Sequence, residues 1–341
     1  MRWLVAAPGP SFSVVDLFVG WCEALRELGQ HVIEFRLDER LTFYDAALFE
    51  VGPGMMRKAV TAEQATELAV NGLYSALYKT RPDVLLVISG FFVPHELLDL
   101  ARHYGTRVVV LHTEEPYEHS RELALACHAD VSLITDPTNI EVFREHTNAW
   151  FVPHAYRPAI HHPGPPDPAL ACDFGFVGTG YASRIGFLEA MDLSGLDVLL
   201  AGNWQQLAED SPLRKHVAHD LAECLDNTQA ASVYRSSRSS LNLYRREAER
   251  PELSVGWSCG PREIELAATG CFFLRDPRPE GDELFPMLPT FTSPGEASEL
   301  LRWWLAHEPQ RQEMAAKARE AITERTFVNN AKSLLRLLDK E

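Results

Sequence analysis

The stretch Arg262-Glu263-Ile264-Glu265-Leu266-Ala267-Ala268-Thr269-Gly270, followed by the apolar run Cys271-Phe272-Phe273-Leu274 and then Asp276, decides how this chain is read. It predicts a short helix, a glycine stop and a buried strand. Pro261 suits the first helical turn, where a missing N–H costs nothing. Gly270 suits the left-handed position that ends a helix. Arg262 and Glu265 are three apart and share one helix face. Residues 254–260 before the helix are mostly small, as expected where a backbone approaches a ligand. A helix N-terminus after such a loop attracts anions. An arginine there pairs with phosphate, and a carboxylate one turn on accepts hydrogen bonds from vicinal hydroxyls. Phosphate plus diol describes a nucleotide-sugar. The plainer alternative is a solvated ion pair on the helix surface.

The surroundings place this segment late in a chain of alternating strands and helices. In the first half, strands are predicted at 3–7, 32–36, 84–89, 108–112, 131–134 and 150–152, with helices at 15–28, 62–79, 95–103, 121–128 and 139–146. The strands are continuous Val/Ile/Leu runs, the mark of burial on both faces. Strand–helix repetition of this kind builds a doubly wound parallel sheet. Five prolines then crowd residues 158–168, fixing torsions and removing donors, so a connector is expected there. The pattern restarts with strands at 174–177, 198–201, 240–243, 272–274 and 290–291. Its helices fall at 184–191, 212–223, 228–235, 262–269, 294–306, 310–325 and 328–338.

Composition narrows the function. A chain of 341 residues favours two domains over one. A formal net charge of −16 argues against nucleic acid as the main partner, since phosphate backbones are bound by clustered Lys and Arg. Six scattered cysteines form no C-x-x-C pair, so a zinc site is not expected and a reducing cytoplasm is. The opening apolar run stops at Pro8-Gly9-Pro10 and reads as a first strand, too short for a secretory segment. No apolar run approaches the about 20 residues needed to span a bilayer.

Other segments carry candidate chemistry. Gly175-Phe176-Val177-Gly178-Thr179-Gly180 is a strand entering a glycine turn, where backbone N–H groups of Gly178, Thr179 and Gly180 can approach a pyrophosphate, with Arg184 one turn into the next helix. Ser183 stands where a full G-x-G-x-x-G has its last glycine. Asn203 follows a strand end and is read either as a cap or as a donor contact. Asn242 sits in an apolar strand and needs partners, and Tyr244 lies at its end. Arg235, Arg238, Arg245, Arg246 and Arg250 make this the most basic local region. His112 and Glu115 end another strand and are the acid–base candidates. Ser11 and Ser13 follow the first strand, as ligand contacts or as a helix cap.

In order and spacing these pieces resemble the CgeB-like glycosyltransferases, the spore-maturation protein group of the GT-B superfamily. The resemblance rests on R-x-x-E at Arg262 and Glu265 with Gly270 and Asp276, on 173–180 with Arg184, and on Ser240-Leu241-Asn242-Leu243. It rests also on Glu114-Glu115-Pro116, on Val152-Pro153-His154, and on Arg302-Trp303-Trp304-Leu305 with Thr326-Phe327. It implies an α/β GT-B fold: two facing Rossmann-like doubly wound parallel-sheet domains, with a C-terminal helix returning to the first. The implied boundaries are 1–156 for the acceptor-side domain, 157–171 for the connector, 172–327 for the nucleotide-sugar domain and 328–341 for the helix. The implied activity is sugar transfer from a nucleotide-sugar to a hydroxyl acceptor, a protein, glycan or small molecule, with no metal or cofactor. Glu265 then binds the ribose diol, Arg262, Arg184 and the glycine turn hold the diphosphate, and Asn203, Asn242 and Tyr244 face the donor. No Asp-x-Asp occurs, which fits metal independence in this superfamily. Retaining members often carry Glu-x7-Glu, but Trp257 stands eight before Glu265, so the stereochemistry stays open. The rivals are a non-catalytic sugar-nucleotide-binding protein and a GT-B-fold epimerase. Sugar, nucleotide, acceptor and oligomeric state are not specified by these residues.

Overall fold

The computed structural model describes residues 1–10 and 12–339, without the side chains of Phe12 and Ser13. Ser11 and the Ser13 side chain, read above as ligand contacts, therefore lie outside the described residues. The chain divides into two compact units, Met1–Val152 with Ala331–Glu341, and Pro153–Asn330.

In the first unit, β1 (Arg2–Ala6), β2 (His31–Phe35), β5 (Val84–Ile88), β6 (Arg107–His112), β7 (Val131–Ile134) and β8 (Asn148–Phe151) form one sheet. A separate antiparallel hairpin joins β3 (Leu48–Gly52) to β4 (Met55–Lys58). The sheet order is β2-β1-β5-β6-β7-β8 and every pairing is parallel. Strand β5, Val-Leu-Leu-Val-Ile, is buried at all five positions, as its unbroken apolar run requires. Helices bury one face of the sheet: Leu73, Leu77 and Leu97 pack with Leu4, Leu85 and Val108. The helix Ala62–Thr80 starts on a reciprocal capping box between Thr61 and Gln64. Strand order reverses between β1 and β5, so their carboxyl ends border the unit's crevice.

The closing residues belong to this unit. Leu334 and Leu338 are buried, and the Leu338 carbonyl accepts a hydrogen bond from Arg107 Nη1 at 3.0 Å. Deleting residues 331–341 removes that burial, a loss of about 2–3 kcal/mol. Calorimetry of the truncated chain is expected to show a melting temperature lower by about 5–10 °C. An unchanged melting temperature would mean the segment adds nothing to the fold.

The second unit has a four-stranded parallel sheet of β9 (Cys172–Val177), β10 (Val198–Ala201), β11 (Ser237–Asn242) and β12 (Phe273–Arg275). Its order is β10-β9-β11-β12, with the reversal between β9 and β11. Phe174, Phe176, Leu200, Leu241 and Phe273 form its core with Ile264, Leu266, Leu301 and Ile322. The helix Pro261–Thr269 has Pro261 in its first turn and ends on Gly270 at φ 77°. Two parallel-sheet α/β units of this kind are Rossmann-like.

Several local expectations differ from what forms. Residues 212–223 are expected as a helix, but only the 3-10 turn Arg214–His216 forms: Arg214 and His216 N–H bond three residues back, to the Ser211 and Leu213 carbonyls, and Val217 then turns extended to bridge Leu200. Thr290 makes a single bridge to Arg275 instead of a strand. The hairpin of β3 and β4 and the helix Pro279–Leu284 were not anticipated. Residues 157–171 are held within the second unit: Arg235 Nη1 reaches the Ile160 carbonyl at 3.1 Å, and Asp167 N–H donates to Ser236 Oγ at 2.9 Å. Among the described residues no helix is long and apolar enough to cross a membrane.

Candidate functional site

The carboxyl ends of β9 and β11 flank the switch point of the second unit, and Arg262 fills it. Its Nε donates to the Val177 carbonyl at 2.7 Å, and its Nη1 to Asn242 Oδ1 at 3.0 Å. The guanidinium lies over the Phe176 ring, 4.6 Å from the centroid. Gly178 is needed because a Cβ there would collide with Arg262 Nη2. Gly202, at φ 105°, is needed because its Cβ would lie 2.6 Å from the Gly178 carbonyl oxygen.

Arg184 stitches the same crevice from the other side. It donates from Nε to the Leu243 carbonyl at 2.9 Å and from Nη1 to the Thr179 carbonyl at 3.0 Å. Beside it opens a pocket of about 250 Å³ lined by Ser183, Arg184, Tyr244, Arg246, Asp276 and Thr292, among others. Arg246 is clamped on both oxygens of Asp276, at 2.8 and 2.7 Å. Burial pushes the Asp276 carboxyl up, against the pull of Arg246. An anion entering here meets two guanidinium groups already oriented by carbonyl and carboxylate partners, the arrangement that recognises phosphate best. Asn242 is almost fully buried, and its Nδ2 has no partner among the described residues.

Behind the pocket lies a carboxylate that the motif reading passed over. Glu263 is fully buried and accepts hydrogen bonds from the Tyr244 hydroxyl and from Gly260 N–H, the latter at 2.9 Å. Burial pushes its pKa up to about 7, although Tyr244, Gly260, Arg275 and Arg278 all favour the ionised form. Arg278 stacks on the Tyr244 ring at 4.0 Å. Glu280 holds the loop before the helix by accepting Cys259 N–H at 2.7 Å. That loop is thus tied down rather than left open.

Some expected roles are corrected by these contacts. The glycine turn does not offer two of its three amides, because Gly178 N–H is bonded to the Ala201 carbonyl and Gly180 N–H to the Asn203 carbonyl. Its glycines serve close packing: a Cβ on Gly180 would collide with the Trp204 ring. The start of the helix Ala182–Glu189 is met by Glu247, which accepts Ser183 N–H at 2.9 Å. Asn203 caps its own turn through Gln205 N–H at 3.1 Å, the plainer of its two readings. Glu265 is half-buried, with Asn227 Nδ2 3.4 Å from its Oε1. Of the residues named from the sequence, Arg184 and Tyr244 line the pocket, together with Arg246 of the basic region and Asp276 of the motif.

The acid–base candidates belong to the first unit and are closed in. His112 is fully buried, 5.1 Å from Phe143 ring to ring, with Nε2 3.1 Å from Ser132 Oγ. Burial lowers its pKa to about 3, so it is neutral near pH 7. The Glu115 carboxylate is fully buried between His119 Nδ1 at 2.8 Å and Asn139 Nδ2 at 2.9 Å. Neither side chain reaches a surface where a substrate hydroxyl could meet it. His112 instead joins the end of β6 to β7 through Ser132, and Glu115 ties the loop after β6 to His119 and Asn139.

The model of the family described as glycosyl transferase-like matches residues 184–336. No curated protein matches. Among solved structures, HepE of Anabaena in complex with UDP aligns over 100% of both chains at 11% identity and a TM-score of 0.63. Trehalose-6-phosphate synthase OtsA aligns over 100% of this chain and 99% of its own at 11% identity and a TM-score of 0.66. The spinosyn forosaminyltransferase SpnP aligns over 100% of both chains at 13% identity and a TM-score of 0.54. The chain therefore has the GT-B fold, and over residues 184–336 it is similar to glycosyl transferase-like proteins.

Proposed function

We propose that the chain is a nucleotide-sugar glycosyltransferase of the CgeB-like group, cytoplasmic and working without a metal or cofactor. The observation that carries this reading is the arginine-lined pocket at the carboxyl ends of β11 and β12, inside the stretch that matches the glycosyl transferase-like family. HepE, a fold neighbour, holds UDP. In this reading the diphosphate enters against Arg184 and Arg246, with Asn242 and Arg262 behind, and Glu265 takes the ribose diol. The bond from the sugar's anomeric carbon to the diphosphate oxygen breaks, a bond to the acceptor oxygen forms, and the hydroxyl proton is released. Negative charge grows on the departing diphosphate as that bond breaks. Fixed guanidinium groups stabilise it without reorganising, which is the work a metal performs in other transferases. His112 and Glu115 are not assigned as the base.

The test starts with Glu265→Ala. It is expected to weaken UDP binding in calorimetry by about 1–3 kcal/mol, the loss of charge-assisted hydrogen bonds, with melting unchanged. Equal affinity in the variant would remove Glu265 from the donor site. Release of nucleoside diphosphate from a panel of nucleotide-sugars is then followed with excess chelator present. Turnover that survives supports the metal-free reading. Loss of turnover that Mg²⁺ restores would refute it, and tight binding with no turnover of any donor would favour the binding protein.

A further inference from the structure

The helices Ala62–Thr80 and His95–His103 both end at the amino ends of β5 and β6, the edge of the first sheet opposite the carboxyl ends that border its crevice. Between their last turns lies a pocket of about 300 Å³, at the small end of ligand sites. Tyr78, Arg81, Asp83, Tyr104 and Thr106 are among its lining residues.

The rim is built against local preference. Arg81 ends the first helix in the left-handed region, at φ 42°, a place that favours glycine. It also precedes Pro82, and the residue before a proline prefers an extended backbone. Strain of this kind on a non-glycine residue gathers at ligand sites. The Arg81 side chain is exposed, and among the described residues its guanidinium has no protein partner. Asp83 accepts the Arg2 N–H through one oxygen at 2.6 Å and keeps the other for a ligand. Tyr78 and Tyr104 meet edge to face, their ring centroids 5.6 Å apart. They stay 51% and 60% exposed, so both rings still show carbon to solvent. A single exposed ring needs no explanation, but a pair beside a pocket forms an interaction surface.

The chemistry of the lining selects its occupant. Its charged residues are one arginine and one aspartate, so it carries no net charge. A phosphate would meet Asp83 and the carbonyl ends of two helices, which carry partial negative charge. A cation would meet Arg81. A neutral ligand rich in hydroxyls suits both, since a hydroxyl donates to a carboxylate and accepts from a guanidinium. The C–H face of a sugar ring covers aromatic carbon while its hydroxyls reach such groups at the rim. We propose that this pocket is an ancillary glycan site, which takes a neutral sugar unit on the Tyr78–Tyr104 platform with Arg81 and Asp83 on its hydroxyls. It is tested by binding alone and stands independently of the transferase reading.

The probes are maltose and cellobiose, titrated against the full chain and followed by saturation-transfer NMR of the sugar ring protons. Glucose 6-phosphate and glucosamine are the charged controls, and each titration is repeated in saturating UDP. The better of the two disaccharides is expected to bind with a dissociation constant of about 1 mM and to keep its signal in UDP. Each charged sugar is expected to bind more weakly than that disaccharide by about threefold or more. Tyr104→Ala and Arg81→Gly are each expected to weaken the disaccharide by about threefold or more, the worth of one such contact. Arg81→Gly also relieves the left-handed backbone, so it is expected to melt no lower than the parent, and its loss of binding is then not a loss of fold. The proposal is overturned if neither disaccharide binds, if a charged sugar binds as well, if UDP displaces the disaccharide, or if neither variant weakens it. UDP affinity is expected to stay within about twofold in both variants. A parent chain that binds disaccharide but no UDP would sink the transferase reading and leave this site standing.

Discussion

Replacing Arg262 by alanine is expected to destabilise the fold by on the order of 3 kcal/mol, a larger effect than any loss of donor affinity. In isolation the motif suggests a phosphate ligand. In the fold, the guanidinium is engaged with the Val177 carbonyl and Asn242 Oδ1, and it stacks on Phe176. Truncation leaves those buried acceptors without a donor and empties the space that Gly178 exists to provide. Hydrogen bonds to a charged group contribute about 1.5–3 kcal/mol each, and an orphaned buried acceptor costs a similar amount. Arg262→Lys is expected to recover less than half, since a lysine carries no fork to span a strand end and an amide together. Urea midpoints of the three proteins decide the matter. If Arg262→Ala shifts stability by under about 1 kcal/mol and abolishes UDP binding, Arg262 is a ligand group and not a strut.

How much of this was legible beforehand follows the range of the interactions. Strands β1, β5, β6 and β9 were visible as apolar runs buried on both faces, whereas β11, Ser-Arg-Ser-Ser-Leu-Asn, was visible only from residue 240 because its first half is polar. Local backbone chemistry was visible too. Gly270 ends its helix in the left-handed region, and Pro261 stands in its first turn. The hairpin of β3 and β4 was hidden because Leu48, Phe49, Met55 and Met56 are exposed, so no buried alternation betrays it. Residue choice at the site was half legible. Motif order led to Arg184, Asn242, Tyr244 and Arg262, which the strand ends do bring together. Spacing alone could not tell that Glu263, between Arg262 and Glu265, faces inward. Its partner Tyr244 lies 19 residues away in sequence and meets it through the packing of the helix on the β11 end. Nor could spacing tell that the glycine-turn amides are engaged by Ala201 and Asn203, since both partners come from the neighbouring strand end.

Glu263 carries the other large expectation, a fall in stability as pH rises through neutrality. Its carboxyl ordinarily titrates at 4.5, and in the fold burial pushes this to about 7. Between those values the folded chain keeps a proton that the unfolded chain has lost. The stabilisation is therefore fully present below about pH 4.5 and is lost as pH climbs through about 7. Each pH unit between those two values is worth about 1.4 kcal/mol, so the change approaches about 3 kcal/mol. The comparison is with Glu263→Gln, which keeps an acceptor for the Tyr244 hydroxyl and for Gly260 N–H but cannot ionise. Denaturant midpoints taken from pH 4.5 to pH 8, the span about Glu263's titration, isolate this one group from the chain's other carboxylates. The parent is expected to lose stability relative to Glu263→Gln across that range. A constant difference between them would mean that Arg275 and Arg278 hold Glu263 ionised throughout. Because Tyr244 lines the pocket and is bonded to Glu263, the ratio of UDP affinities of parent and variant is expected to change with pH along the Glu263 titration, the titration of UDP's own phosphate at about pH 6 being common to both. An altered affinity without a stability change would place the effect on the pocket alone, and would refute linkage between this carboxyl and folding.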